Sequence, residues 1–490
     1  MTPSTHSRWF DIWAFVIAPE RTPVRFSWLI FCLFFILCVS VNYPGRLNED
    51  SLQQLIGLHD RRYLTDVHSP VVTLIWSVFW PVAGQPASAL IVQSALLSFF
   101  AAIVPKPPRW GLREMVIATA ESLFKLSLVI SAGFIIKDVL FVGLLLAGLA
   151  AIRRAGPELA RPWLVAGGGF FALSLLIRPT NFALLALASA LVLPLLVRTL
   201  RGWILATAAT VAVIASSVPI YSGINRLLHA QPGHAEIQLL LFDSAGISSR
   251  TGQNLFKDLP GWPQGLPDPR NCYMPLDASI IAPWAPCKGY AEAGGAIYAA
   301  DRSKVIGWWL RNIASHPIAY AQHRLTFTGF LLDPTESTRR HPAYRSQFRL
   351  GEHHFYALNS EDRVERFQKV AASRISVTDI GWWRTNRAAE GLVWFSSKVY
   401  EHRWTEAFAL LLCLALLVWQ WLRRWWGEPV HLAVAMAAAL GIGNVAMHCL
   451  IGIASQPRYL FPTVCCAAFA LLLALSTRAE TARTASRSPG

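Results

Sequence analysis

Apolar residues along the chain gather in long stretches that contain no Asp, Glu, Lys or Arg: Phe26 to Tyr43, Pro86 to Val104, Val139 to Ile152, Asn181 to Val197, Trp203 to Asn225 and Leu432 to Gln456. Each is at or near the length of about 20 residues that a helix needs to cross a hydrocarbon core of about 30 Å. With the runs that single charges interrupt, the pattern predicts ten spans: 26–43, 86–104, 114–135, 138–152, 163–177, 181–197, 203–221, 404–422, 430–452 and 459–476. The run Val71 to Gly84 is set apart. It has only about 14 residues, proline at or near both ends, and Trp76 and Trp80 one helical turn apart, a pattern that suits a helix lying at the interface.

Composition agrees with the pattern. Apolar residues make up 54% of the chain and charged residues 15%, against roughly a quarter charged in soluble domains, so a soluble globular protein is excluded. The net charge of +15 comes from cations that fall singly or in pairs between apolar runs. That distribution reads as membrane topology, and it gives no basic face for nucleic acid. With the N-terminus cytoplasmic, the inner segments hold Arg21, Arg25, Lys106, Arg109, Arg113, Arg153, Arg154, Arg161, Arg198, Arg201, Arg423 and Arg424 among others, as the positive-inside rule requires. Counting 71–84 as a span would put most of these outside.

The predicted fold class is therefore an all-α polytopic membrane protein with about ten transmembrane helices and a mixed, mainly helical external domain. An N-terminal transmembrane module (1–221) carries a first external loop (44–85). A periplasmic domain (222–403), C-terminal transmembrane helices (404–476) and a cytoplasmic tail (477–490) follow. The first apolar run lacks a small-residue cleavage pattern, so it reads as a span and not as a signal peptide. Cys32, Cys38, Cys413, Cys449, Cys465 and Cys466 lie in apolar runs as small packing residues. Cys272 and Cys287 sit in a polar, proline-rich stretch and predict a disulfide on an oxidising side of the membrane.

Candidate chemistry concentrates in the outer loops. Glu49 and Asp50 stand side by side where the first span ends. Asp50 fits either a helix N-cap or a carboxylate held at the membrane surface as a general base, with Glu49 as its substitute. Gln54 follows, then Asp66 and His68 two residues apart before Ser69-Pro70, where metal ligands, a base pair or a cap-plus-turn role all fit, the spacing being a weak metal signal. The short outer loops after the first hold single cations, Lys137, Arg178 and Arg458, each beside a helix end. Snorkelling explains one such residue, but three at one depth point to a shared anionic ligand, with phosphate the natural choice. Glu121 and Lys125 share a helix face inside the third span and predict an intramembrane ion pair. His316, Tyr320, His323 and Arg324 recur at helical spacing, fitting either a helix at the membrane surface or contact with a donor or acceptor headgroup.

Tyr43-Pro44-Gly45, Asp50-Ser51 with Gln54, Asp66-Val67-His68-Ser69-Pro70, Lys137-Asp138, Arg178-Pro179-Thr180-Asn181, His316-Pro317, His323-Arg324 and Arg458-Tyr459 together resemble a bacterial family of multi-spanning membrane glycosyltransferases of the GT-C class. That class includes protein O-mannosyltransferases and lipid A aminoarabinose transferases. The resemblance covers most of the chain. It implies a polyprenyl-phosphate-linked sugar donor, an outward-facing site and a catalytic acid in the first outer loop, which maps onto Asp50. Ser69 stands where the family carries a second proline.

Residues and resemblance together lead to the expectation of an enzyme that moves a sugar from a polyprenyl-phosphate carrier to an envelope glycan, lipid or protein acceptor at the outer face of the bacterial inner membrane. Asp50 is the expected base, and Lys137, Arg178 and Arg458 the donor-phosphate ligands. Asp66, His68, Gln54, His316, Tyr320, His323 and Arg324 are expected to contact substrate. No cofactor is required, although a divalent metal is compatible with the site. A lipid-linked saccharide flippase would use the same cations, but the chain shows no inverted repeat or matched pair of broken helices. An O-antigen-type polymerase or ligase would differ only in its acceptor groove.

Overall fold

The structure is a computed structural model that describes residues 24–43, 45–47, 50, 51, 54, 55, 57, 64, 65, 68–84, 87–103, 112–155, 161–178, 182, 184, 186, 188, 200–232, 235–263, 265, 266, 268–275, 297, 300–333, 405–423, 429–452 and 459–487. Its elements are α1 (Val24–Asn42), β1 (Arg46–Leu47), α2 (Pro70–Ser77), α3 (Trp80–Ala83), α4 (Ala87–Ile103), α5 (Leu112–Ala132), β2 (Phe134–Ile135), α6 (Lys137–Ala155), α7 (Arg161–Ile177) and α8 (Leu200–Leu227). They continue with α9 (Ala235–Thr251), a 3-10 turn (Leu255–Asp258), α10 (Pro269–Cys272), α11 (Arg302–Ser315), α12 (Pro317–Leu332), α13 (Thr405–Arg423), α14 (Pro429–Ile451) and α15 (Phe461–Arg487). The chain is mostly helical. Nine of the ten expected spans coincide with one of these helices, and the described residues of the tenth, at 182–188, are helical.

Three helical segments among the described residues, Met115–Ala132, Thr405–Leu422 and His431–Ile451, are long and apolar enough to cross a membrane. Ser27–Asn42, Ala87–Ile103, Val165–Ile177 and Phe461–Leu475 are apolar but shorter. This is a membrane protein. The excluded run 71–84 forms two helices of 8 and 4 residues, α2 and α3, neither long enough to span. The expected interfacial Trp pair is corrected: Trp76 is fully buried in the main core, whereas Val78 and Val82 point outward. Ser88 of α4 sets this orientation, since its hydroxyl donates to the Trp76 carbonyl and accepts from the Phe79 amide.

The core is built around α6. From Val139 to Ala151 its residues are buried on every side, because α4, α7, α14 and α15 all pack against it. A helix apolar all round needs such a surround. The α6–α7 approach depends on small residues, as membrane helix packing generally does: a Cβ on Gly167 would lie 3.2 Å from the Gly148 carbonyl. Phe100 of α4 ties α5 and α15 together, its ring 5.9 Å from Phe124 and 5.4 Å from Phe469. On α5, Lys125 donates to Glu121 as its spacing predicts.

The segment 235–333 has its own small core, in which Phe256 packs edge-on against Trp262 and Trp308. A second cluster, Phe242, Phe327 and Leu331 with Val445 and Leu460, seats α9 and α12 against α14 and the start of α15.

Candidate functional site

The first loop is folded onto the α5–α6 corner. Gly45 adopts φ +105, and a Cβ there would lie 2.8 Å from Ile135 Cγ1, so only glycine lets the chain turn at this point. Beyond it β1 pairs in parallel with β2, Arg46 with Phe134 and Leu47 with Ile135. Three side chains pin the junction. Asn42 Nδ2 donates to Cys38 O at 2.9 Å and Val129 O at 2.7 Å; Gln93 Nε2 donates to Phe134 O at 2.9 Å; and the Ser51 hydroxyl donates to Ile135 O. Asp50, next to Ser51 in the chain, is thereby held near the start of α6.

Between Asp50 and Lys137 lies His68. Lys137 Nζ donates to His68 Nδ1 at 2.9 Å, and His68 Nε2 is 4.0 Å from Asp50 Oδ1. His68 is largely buried, but the Asp50 side chain is 30% exposed and thus accessible to a substrate. The turn that carries His68 is fixed by Ser69, which caps α2 by accepting from Val71 N at 3.3 Å and donates to Leu176 O at the end of α7. A proline at 69 would make neither bond. Gln54 turns away from this site. It is buried, its Nε2 donates to Asp50 O at 2.9 Å and its carbonyl accepts from Thr73.

Arg178 follows directly on α7 and is also buried. Its Nη2 is paired with Asp138, in the first turn of α6, and its guanidinium lies 5.5 Å from the Tyr459 ring, which in turn packs 5.1 Å from His448. A guanidinium removed from water needs such a counter-charge. Its Nε has no hydrogen-bond acceptor among the described residues. Lys137 and Arg178, read separately from the sequence, thus stand at neighbouring places through consecutive residues of α6. Asp138 and Tyr459 stand in the sequence motifs without an assigned role, and His448 is not named there. The signal available for Asp138 is an acid beside a cation at the start of an apolar run, with the lone Arg178 at the end of the next.

A second polar cluster lies in the 235–333 segment. His316 ends α11 and begins α12, its N–H donating to Asn312 O and its carbonyl accepting from Tyr320 N. His323 and Arg324 face inward from α12 onto Asp243 of α9. His323 Nε2 is 3.1 Å and Arg324 Nη2 2.5 Å from Asp243 Oδ1, while Trp309 Nε1 donates to Asp243 Oδ2 at 3.1 Å. Because a carboxylate only accepts, His323 Nε2 bears the proton and Nδ1 accepts from the Tyr273 hydroxyl at 2.7 Å. Arg324 Nη1 also donates to Gly452 O at 2.7 Å, joining this cluster to the end of α14. Burial pushes the His323 imidazole below its usual range, against the opposing effect of Asp243, and pushes the Tyr273 hydroxyl up. Tyr320 is half-buried, 6.0 Å from the Arg324 guanidinium. Asp243 was missed in the sequence; an acid inside the apolar stretch Leu239 to Ile247 was its mark.

Glu49, Asp66, Arg458 and Cys287 lie outside the described residues, and Cys272 is described in its backbone only, as the last residue of α10. Among the described residues no group of three or more His, Cys, Asp or Glu side chains is arranged to hold a metal ion. No protein-family model, curated protein or solved structure matches the chain.

Proposed function

We propose that the protein is a polyprenyl-phosphate-dependent glycosyltransferase of the GT-C type, acting at the periplasmic face of the bacterial inner membrane with ten spans and both termini cytoplasmic. The observation that supports this reading best is the juxtaposition of an accessible carboxylate, Asp50, with His68 and Lys137 at the end of apolar helices. In the proposed reaction the acceptor hydroxyl oxygen attacks the anomeric carbon and gives its proton to Asp50. The bond from that carbon to the phosphate oxygen breaks, and polyprenyl phosphate leaves with the electron pair. Lys137, Arg178 and Arg458 stabilise the charge that gathers on the leaving phosphate. An ammonium has three N–H groups, so the Lys137 bond to His68 is compatible with a phosphate contact. Arg178 would act from behind, through its unaccepted Nε, with Asp138 holding the guanidinium in place.

The test is to supply the purified protein in lipid vesicles with labelled polyprenyl-phosphate sugars and a panel of glycan, lipid and protein acceptors. Transfer of label to an acceptor, lost in Asp50→Asn, is expected. Movement of the carrier across the bilayer with no new glycosidic bond would replace this reading with a flippase.

A further inference from the structure

His68 sits between a cation and an acid, and the cation decides which ring nitrogen carries the proton. The lysine ammonium has protons to give and no lone pair to accept with. Its 2.9 Å bond to His68 Nδ1 therefore requires an unprotonated Nδ1, and in a neutral imidazole the ring proton then resides on Nε2. Nε2 is the nitrogen that faces Asp50 Oδ1 across 4.0 Å. That separation is too long for a hydrogen bond and short enough to close by a small movement of the first loop, as unliganded sites commonly require. The ring itself is held. Ser69 is bonded on both sides, to Val71 N and Leu176 O, and Lys137 is the first residue of α6.

We propose that Lys137 locks His68 in the Nε2–H tautomer and that His68 is thereby a positioning residue that presents an N–H to the Asp50 carboxylate. The N–H aims the carboxylate and favours its ionised, proton-accepting form. Lys137 thus acts on the base as well as on any phosphate. The tautomer follows from the geometry alone, whereas its use in transfer rests on the reading of Asp50 as the base.

Two measurements separate these parts. The first needs no substrate: the full chain is labelled with 15N-histidine, reconstituted in lipid nanodiscs, and the His68 signal among the thirteen histidines is isolated by difference from a His68→Asn sample. The expected signal has an unprotonated Nδ1 and a protonated Nε2, and in Lys137→Met it becomes a mixture of tautomers. A protonated Nδ1 in the unmodified protein, or an identical signal in Lys137→Met, overturns the lock. The second measurement compares two substitutions in the transfer reaction. His68→Gln places an amide N–H near the former Nε2; His68→Asn keeps only the Nδ1 end, toward Lys137. Loss of a charge-assisted contact to the base corresponds to about tenfold to a hundredfold in rate. Turnover is expected to fall by that factor in His68→Asn and to be largely rescued in His68→Gln. Equal loss in both, with the tautomer as expected, overturns the positioning role. An unmodified protein that shows the expected tautomer but transfers no sugar would instead remove the proposed function.

Discussion

The described residues include two acid–histidine–cation triplets, and they differ in what surrounds them. In Asp243–His323–Arg324 the acid and the imidazole are fully buried and every contact is closed, from 2.5 to 3.1 Å, with a tryptophan and a tyrosine completing the set. In Asp50–His68–Lys137 the acid is partly exposed and a 4.0 Å gap remains. In both, the neighbours put the imidazole proton on Nε2. The closed triplet holds α9, α12 and the end of α14 together. The open one keeps a carboxylate within reach of a ligand. The same residue types therefore serve as a joint in one place and as a candidate site in the other, and burial with bond completion makes the difference.

The largest expected effect breaks the closed triplet. Asp243→Asn leaves Arg324 buried without its counter-charge, which costs about 3–5 kcal/mol. The detergent-solubilised variant should unfold at a clearly lower temperature, or the 235–333 segment should become sensitive to limited proteolysis. Unchanged thermal unfolding would show that the joint is not what holds α9 to α12. Asp50→Asn is the opposite case: it retains size and capping ability, so unfolding should barely move, while transfer should drop by about a hundredfold or more. Near-normal transfer would make Asp50 a cap and leave the two triplets alike.

A smaller effect is expected from Trp309→Phe, which removes one donor from a buried carboxylate and should destabilise by about 1–3 kcal/mol, again read as an unfolding midpoint. The pH response should be smallest. An unfolded imidazole takes up its proton near 6.5, and His323 takes one up only at lower pH because burial disfavours its charged form. Between those two points the unfolded chain binds more protons. The contribution of His323 is thus fully present above about pH 6.5 and is lost as pH falls below it. The unfolding midpoint should decline through that window in the unmodified protein and decline less in His323→Gln. Equal slopes would mean that other groups carry the response.

Much of this was legible in the sequence because periodicity and run length are local. The apolar runs mark most of the helices, although α8 runs on to Leu227 and α15 to Arg487, beyond the expected ends at 221 and 476, and the brevity of 71–84 shows in its prolines. The outer cations also stand out, since charge is scarce. Pairings between distant segments were not legible. That Arg178 finds Asp138, 40 residues away, or that His323 finds Asp243, 80 residues away, depends on which helix faces pack together. The spacing of His316, Tyr320, His323 and Arg324 predicts one shared face; His323 and Arg324 do turn together onto Asp243, with Tyr320 beside Arg324, whereas His316 caps the junction of α11 and α12. Which way that face turned was decided by Asp243, an acid whose burial demanded those partners.

The pairing of β1 with β2 also carries a consequence for the order in which the protein is made. Ser51 and its acceptor Ile135 are 84 residues apart, and Lys137 comes later still. Because the chain is made from its N-terminus, β1 is complete long before the strand that receives it exists. β1 thus has no partner strand until α4 and α5 have been made. The carboxylate of Asp50 therefore gains its lysine neighbour only after α1, α4 and α5 have been made, so a chain halted earlier carries the acid and the histidine without the cation.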